Sequence, residues 1–208
     1  MRDALTCLAA LAVGLALAAA CGCFVPEKQY PEKQQYVLEV SRPGRAAAPL
    51  GAGVAKVRRF RISSRFEGTG LVYRTGDVSY EADFYNEFLT SPASLITEEA
   101  REWFGASGVF AQVVDAGSAA DAGYILEGNV TGLYGDFSDA KKPKAVMAIS
   151  FLLLDDDGDE VSIAFFKKYR AEAPLESNSP AELVKGWNKC LAEILSAAEE
   201  DLRKAVSK

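Results

Sequence analysis

The segment VMAISFLLLDDDGDEVSIAFFKKYR, residues 146–170, carries the strongest secondary-structure signal in the chain. Two runs typical of β-strands, residues 146–154 and 161–170, flank an acidic turn that contains an Asp-Gly pair. An Asp-Gly pair between apolar runs is a strong signal of a tight hairpin. The first run is apolar at almost every position, so we expect it in the centre of a sheet with both faces covered.

The acidic turn also resembles a calcium-binding loop at first sight. An EF-hand loop needs glycine at its sixth position and carboxylates at its first and twelfth. With Gly158 in the sixth place, the other two positions fall on Leu153 and Ala164, which carry no carboxylate. The register excludes an EF-hand, and the hairpin is the better interpretation.

Outward from this hairpin, the sequence predicts further strands and two helices. Residues 78–88 alternate apolar and polar side chains, the pattern of a sheet with one face in water. Other strands are predicted at residues 36–40, 56–62, 71–74, 109–114 and 124–137. The helices do not alternate strictly with the strands. We therefore predict an α+β fold, a mostly antiparallel β-sheet with two α-helices packed on one face.

Each helix begins at a Ser-Pro pair. Serine is a favoured N-cap residue, and proline is tolerated at the first helical position. Ser91-Pro92 opens the first helix and Gly105 is predicted to end it, whereas Ser179 and Glu182 form a capping box at the second. Apolar residues recur at three- and four-residue spacing in both helices. They predict that Trp103, Phe104, Trp187 and Cys190 belong to the core.

Composition narrows the possible functions. The 208 residues carry a net charge of -6, which argues against nucleic-acid binding because the phosphate backbone attracts a basic surface. The chain has no histidine, so Ser-His-Asp and Cys-His nucleophiles and most zinc sites are excluded. No nucleotide-binding glycine motif is present either. We expect no catalytic residues, no metal and no cofactor.

The N-terminal residues are typical of an export signal. Residues 5–20 are almost wholly apolar and follow Arg2. A membrane-spanning helix needs roughly 20 apolar residues, so this shorter run is more typical of a signal peptide. The residues Ala18-Ala19-Ala20-Cys21 that end it resemble the lipobox of bacterial lipoproteins, which implies acylation of Cys21. Cys23 as the acceptor, and an ordinary cleaved signal without acylation, remain alternatives.

This interpretation divides the chain into three parts. Residues 1–20 are predicted to be a lipoprotein-type signal peptide, residues 21–34 a lipidated tether and residues 35–208 a single domain. Position 22 is not the aspartate that keeps lipoproteins in the inner membrane, so the resemblance implies an outer-membrane anchor facing the periplasm. Cys190 is expected to be a buried thiol, with a disulfide to Cys23 as the alternative.

One cluster of residues is a candidate binding surface. It places five positive charges within ten residues of an acidic protein, at Lys56, Arg58, Arg59, Arg61 and Arg65. These side chains could contact anionic lipid headgroups or an acidic partner. Alternatively, they cover a solvated strand and discourage edge pairing.

Several short motifs between residues 66 and 130 have the spacing of a known lipoprotein family. They are a G-x-x-Y-R strand (Gly70, Tyr73, Arg74), the run Phe84-Tyr85-Asn86-Glu87-Phe88, Pro92 at a helix start, a G-x-F exit (Gly108, Phe110) and an L-x-G-x-V strand (Leu126, Gly128, Val130). With the lipobox and the terminal helix, they resemble the ABC-type transport auxiliary lipoprotein family. This class includes the lipoprotein of the paraquat-inducible Pqi system.

The resemblance implies a function and partners. Members accompany an ABC permease, its ATPase and a mammalian-cell-entry (MCE) domain protein in systems thought to move lipids between two membranes. The implied role is that of a non-catalytic lipoprotein that docks the periplasmic component at the outer membrane for phospholipid trafficking, and that self-associates. The alternative is an independent periplasm-facing binding module, either a lipid carrier with an internal cavity or a cofactor of envelope biogenesis.

Overall fold

The computed structural model describes residues 31–44, 53–156, 158 and 160–207. The predicted signal peptide, Cys21 and Cys23 lie outside these residues. The strands are β1 (Gln34–Tyr36), β2 (Val54–Val57), β3 (Arg61–Ile62), β4 (Gly70–Arg74), β5 (Tyr80–Phe88), β6 (Gln112–Asp115), β7 (Tyr124–Asp136), β8 (Lys144–Asp156) and β9 (Val161–Pro174). The helices are α1 (Pro92–Ser107) and α2 (Pro180–Val206), and residues Ser64–Phe66 form a 3-10 turn.

These strands form one mixed sheet around β7. Strand β8 runs antiparallel along one side of β7, and β2, β3 and β4 run parallel along the other. Strand β9 pairs with β8. Strand β5 pairs with both β4 and β1, and β6 pairs with β2. Five of the eight pairings among the described strands are parallel.

The prediction of a mostly antiparallel sheet was therefore wrong, because the sheet is mixed and curled. The reason is the connection through α1. Parallel strands require a crossover, and α1 carries the chain back over the sheet before β6 and β7. Those strands then lie parallel to β2 and β4, which precede the helix. The α+β class and the central hairpin of β8 with β9 are confirmed.

Both helices pack on the same face of the sheet. Side chains of β8 at odd-numbered positions, among them Met147 and Phe151, point to this face and are fully buried. The ring of Phe104 in α1 lies 5.9 Å from that of Phe151. From α2, the Cys190 thiol reaches the carbonyl oxygen of Ala145 at 3.7 Å. The predicted core positions Trp103, Phe104, Trp187 and Cys190 are all buried, as expected.

Burial decides the chemistry of Cys190. It raises the pKa of the thiol to about 12, so the reactive thiolate is not formed near neutral pH. The structure describes Cys190 as a free cysteine. Its alternative partner, Cys23, lies outside the described residues, so that disulfide stays a prediction.

Two glycines allow α2 to lie close to the sheet. A Cβ atom on Gly186 would lie 2.6 Å from Cβ of Ala145 and 2.8 Å from Cδ2 of Leu175. On the sheet side, a Cβ atom on Gly135 would lie 2.9 Å from Cδ2 of Leu183. Glycine in the middle of a helix normally destabilises it. Here it permits a contact that any side chain would prevent.

The helix ends differ in part from the prediction. Helix α1 continues past Gly105 and ends at Gly108, which adopts the left-handed conformation with φ of 71°. Ser91 occupies the N-cap position without a side-chain hydrogen bond to the helix. At α2, the Ser179 hydroxyl accepts a hydrogen bond from the Glu182 amide at 3.2 Å, which is one of the two bonds of the predicted capping box.

The segment after β1 was predicted to continue as a strand to residue 40. Instead it crosses the two helices, and we call residues 37–42 the helix strap. Leu38 is buried, and the amide of Val40 donates to Glu99 at 2.7 Å. The Arg42 guanidinium forms two hydrogen bonds of 2.8 Å with the Glu199 carboxylate. Contacts with side chains of both helices replace the strand pairing that the local pattern favoured.

Candidate functional site

The predicted cluster of cations lies where β2 ends and β3 begins. Residues 56–62 were predicted as one strand, but residues 58–60 interrupt it. Phe60 is buried, and its amide donates to the Thr97 hydroxyl at 3.0 Å. Its ring lies 5.6 Å from that of Phe151, in space that a side chain at Gly128 would fill. Because Phe60 turns inward, the neighbouring arginines stay exposed.

These arginines line a groove of about 410 Å³. Its walls come from the junction between β2 and β3 and from β7, β8 and β9, on the sheet face opposite the helices. The lining side chains outside the cation cluster are mainly polar, with two apolar ones at one end. The lining residues are Arg58, Arg59, Arg61, Glu127, Gly128, Asn129, Ser150, Leu152 and Phe166.

The positive charges in the groove are only partly balanced. Arg58 forms an ion pair with Glu127. Arg59 and Arg61 form none with any residue in the described part of the chain. Three arginines and one glutamate leave a net charge of 3 - 1 = +2 on the lining. The groove is thus a positive region on an acidic protein.

A fourth cation, Lys168, lies on β9 just beyond the residues that line the groove. The strand register places Arg61 opposite Asn129, Asn129 opposite Ser150, and Ser150 opposite Lys168. Neighbouring strands are about 4.8 Å apart, so this row crosses the groove with a cation at each end and neutral hydrogen-bonding groups between them. Lys168 is exposed and has no ion pair among the described residues either.

Apolar side chains continue the groove towards the hairpin turn. Leu152 lies opposite Phe166 in the β8–β9 register, and Leu154 lies opposite Ile163. Phe166 is 57% exposed and Ile163 is 69% exposed. Ile125 is the neighbour of Leu154 on β7. We call these five residues the apolar strip. Exposed apolar patches beside polar groups commonly mark binding surfaces.

The other end of the same sheet face is covered and neutralised. The Phe66 ring stacks on Tyr134, with a centroid distance of 6.0 Å. Lys144 and Arg170 both form ion pairs with Glu172, at 2.6 and 2.7 Å. Hydrogen bonds from these two cations lower the pKa of Glu172. At the groove end, by contrast, the exposed Phe166 and Ile163 side chains border arginines that have no ion pair among the described residues.

The structure separates the five cations of the predicted cluster. Arg58, Arg59 and Arg61 line the groove together. Lys56 lines a different hollow, beside Asp121 and Asp156. Arg65 lies on the 3-10 turn, 5.3 Å from the Phe66 ring centroid and away from the groove lining. The predicted acylation site, Cys21, lies outside the described residues.

Sequence reasoning missed Lys168, Phe166 and Ile163 as parts of this surface. The sequence did contain a signal for this surface, because residues 161–170 place three apolar side chains close to a lysine pair, and all three are exposed in the structure. That pattern predicted a further strand of the sheet and no binding surface. Their proximity to Arg61 depends on the pairing of β9 with β8, of β8 with β7 and of β7 with β3. Arg61 and Lys168 are about 100 residues apart in sequence.

The Asp83 carboxylate, which accepts four hydrogen bonds, has a structural role. It accepts from the Tyr73 hydroxyl at 2.7 Å, from the amides of Tyr85 and Asn86, and from the Asn86 side chain. Burial opposes its ionisation, but these hydrogen bonds together lower its pKa. Burial and the bond to Asp83 raise the pKa of Tyr73. This network fixes the bulged pairing of β4 with β5.

No group of three or more histidine, cysteine, aspartate or glutamate side chains in residues 31–44, 53–156 and 160–207 is arranged to hold a metal ion. No helix in the same part of the chain is long and apolar enough to cross a membrane.

The sequence model of one family matches most of the chain. It is described as the ABC-type transport auxiliary lipoprotein component and matches residues 36–198. This range includes β2 to β9, all of α1 and most of α2. No curated protein sequence matches this chain significantly.

Solved structures with the same fold are distant in sequence. A crystal structure of a Xanthomonas campestris protein has a TM-score of 0.73 at 13% identity, and the match covers 83% of this chain and 95% of that one. An uncharacterised protein has a TM-score of 0.64 at 16% identity, with coverages of 82% and 99%. A hypothetical protein from Chlamydia trachomatis has a TM-score of 0.50 at 13% identity, with coverages of 72% and 97%. At such identities the likeness shows the fold alone.

Proposed function

This chain belongs to the family of ABC-type transport auxiliary lipoprotein components, and we propose that it is a non-catalytic, lipid-anchored subunit of such a transport system. The observation that carries this proposal is the family match across residues 36–198. We further propose that its partners are an MCE-domain protein and the ABC permease and ATPase. In this proposal the lipoprotein docks the periplasmic component at the outer membrane, and the cargo is a phospholipid.

The position of Cys21 is consistent with a docking role. An extended chain gains at most about 3.3–3.6 Å per residue, so the eleven residues between Cys21 and Lys33 allow the two to lie roughly 40 Å apart. The compact unit Lys33–Lys208 could therefore reach a partner well above the membrane surface while the acyl chains stay inserted.

The test is affinity isolation of the full-length, lipidated protein from detergent-solubilised envelopes, followed by mass spectrometry of proteins and extracted lipids. We expect an MCE-domain protein to copurify with its permease and ATPase, and the mass of the complex will report self-association. Tightly held phospholipid without these partners would contradict the transporter proposal and favour the independent carrier. A lipoprotein of similar abundance with the same affinity tag controls for detergent micelles that trap proteins nonspecifically.

Replacing Cys21 with serine should release the protein from the membrane. Serine cannot form the thioether to diacylglycerol, and the described residues contain no helix that could span a membrane instead. Fractionation of cells should show the wild-type protein with the membranes and the processed C21S protein in the soluble fraction. The C23S protein is the matched control and should stay membrane-bound. If C23S is released and C21S is not, the acylation site is Cys23.

A further inference from the structure

We propose that the groove beside β3 binds one phospholipid with an anionic headgroup, with its phosphate held by Arg59 and Arg61 and an acyl chain lying on the apolar strip. This inference rests on the proposed function in one respect, since a lipid transport system supplies the ligand. It adds a binding site on the auxiliary subunit itself.

The first argument is charge. Arginine presents a planar set of N–H donors that matches a phosphate group. The Arg58 side chain is committed to Glu127, whereas Arg59 and Arg61 have no carboxylate partner among the described residues. Lys168 lies at the opposite side of the groove in the same row as Arg61. An anion in the groove would thus meet cations from two sides.

The second argument is the surface between those cations. Asn129 and Ser150 both line the groove between Arg61 and Lys168. An amide and a hydroxyl can donate hydrogen bonds to phosphate or glycerol oxygens without adding negative charge. The groove volume of about 410 Å³ lies within the range of sites for small ligands. It suits a headgroup with its glycerol, while the acyl chains extend beyond it.

The third argument is the adjacency of charge and apolar surface. Leu152 and Phe166 line the same groove as the arginines. The next row towards the turn, Leu154 and Ile163, continues the apolar surface by two residues, or about 7 Å. A phosphate joined to a hydrocarbon chain is the ligand chemistry that fits both parts. A free inorganic anion would use the cations and leave the apolar strip exposed.

The charge beyond the strip distinguishes a lipid from an acidic protein segment. Asp156 follows Leu154 by two residues and lies opposite Val161, at the end of the strip. An acidic segment extended along the strip would meet this carboxylate, with like charges repelling each other. An uncharged acyl chain would not. The order of cations, apolar strip and carboxylate therefore favours a lipid.

The experiment uses the full-length, acylated protein in phosphatidylcholine vesicles. The probe is phosphatidylglycerol with a photoactivatable group on one acyl chain, added at low mole fraction. The matched probe is phosphatidylcholine with the same acyl chain. After irradiation, mass spectrometry locates labelled peptides. We expect phosphatidylglycerol to label peptides that contain Leu152 or Phe166, and phosphatidylcholine to label them much less.

Three variants separate headgroup recognition from folding. The double variant R59E/R61E should lower this labelling by roughly tenfold or more, since it removes charge-assisted hydrogen bonds and repels the phosphate. Its circular dichroism should match the wild type, since both side chains are exposed and form no ion pair within the described residues. The R65E variant reverses one arginine charge outside the groove and should label normally. The F166S variant should lose labelling at residue 166 while it keeps the preference for phosphatidylglycerol at Leu152.

Several outcomes would overturn the inference. They are equal labelling by the two probes, labelling unaffected by R59E/R61E, and cross-links from the groove to a copurifying protein in envelopes instead of to lipid. Complete competition by excess inorganic phosphate would assign the site to a free anion. Affinity isolation of the R59E/R61E protein from envelopes distinguishes a failure of the groove proposal from a failure of the transporter proposal. If transporter subunits copurify but the lipid is not labelled, only the groove proposal fails, and the reverse result contradicts only the transporter proposal.

Discussion

Replacing Trp187 with alanine should lower the free energy of unfolding by about 4 kcal/mol, within the range for large aromatic truncations in cores. Trp187 is completely buried in the interface of α2 with the sheet. Its ring centroid lies 5.5 Å from that of Phe88. Its indole N–H donates to the carbonyl oxygen of Tyr134 at 3.3 Å. The variant loses the packing, leaves a cavity and removes a partner from a buried carbonyl group.

Urea denaturation followed by circular dichroism measures this change. Phe84 is the matched control because it is also aromatic but is 70% exposed. The F84A variant should change the free energy of unfolding by no more than about 0.5 kcal/mol. A loss of under 1 kcal/mol for W187A, or equal losses for both variants, would contradict the packing of α2 described above. The W187F variant should fall between W187A and wild type, since it keeps most of the buried area.

The second large effect is expected at Glu199. The carboxylate joins three elements, because it accepts hydrogen bonds from Arg42 in the helix strap, from the Trp103 indole at 2.9 Å and from Arg203 at 3.4 Å. The side chains of Glu199 and Arg42 are 12% and 16% exposed. The E199Q variant should therefore lose about 2 kcal/mol, within the range for hydrogen bonds to a charged group.

This contribution should depend on pH. Burial opposes ionisation of Glu199, but the hydrogen bond and charge of Arg42, with the bonds from Trp103 and Arg203, lower its pKa below the ordinary value of 4.5. A carboxylate with a lowered pKa in the folded state stabilises the protein above its unfolded-state pKa. That stabilisation is lost as the pH falls through the folded-state value. The difference between wild type and E199Q should thus be full at neutral pH and shrink in acid below pH 4.5.

Glu200 provides the control for this measurement. It is the next residue along α2, and it is exposed. The E200Q variant removes the same charge and should leave the free energy of unfolding within about 0.5 kcal/mol of wild type. If E199Q and E200Q are equally stable across the pH range, the helix strap is not held by this ion pair.

Local patterns in the sequence predicted those features that short-range chemistry determines. The Asp-Gly turn predicted the hairpin of β8 with β9, and Ser179 with Glu182 predicted the start of α2. The spacing of apolar residues identified Trp187 and Cys190 as core residues. The concentration of Arg58, Arg59 and Arg61 identified the cations of the candidate groove. Each of these signals lies within one element or turn.

Features that depend on distant partners were wrong or missed. The direction of β7 relative to β2 and β4 follows from the crossover through α1, and no residue within those strands encodes it. Residues 37–40 have the local pattern of a strand. They form part of the helix strap instead, because the Val40 amide donates to the Glu99 carboxylate and the Leu38 side chain is buried in the core. Gly105 was read as a helix end, but Gly108 ends α1.

Sequence patterns were enough to establish the class of the elements, the composition of the core, the exclusion of histidine chemistry and the family. The mixed sheet and the assembly of the groove depend on tertiary contacts. These contacts bring Arg61 and Lys168 into one row across four strands and place Leu152 and Phe166 beside the arginines. The difference lies in the sequence distance over which each kind of interaction acts. Propensity and periodicity act over a few residues, whereas strand pairing and burial bring together side chains that are far apart in the chain and that no local pattern relates.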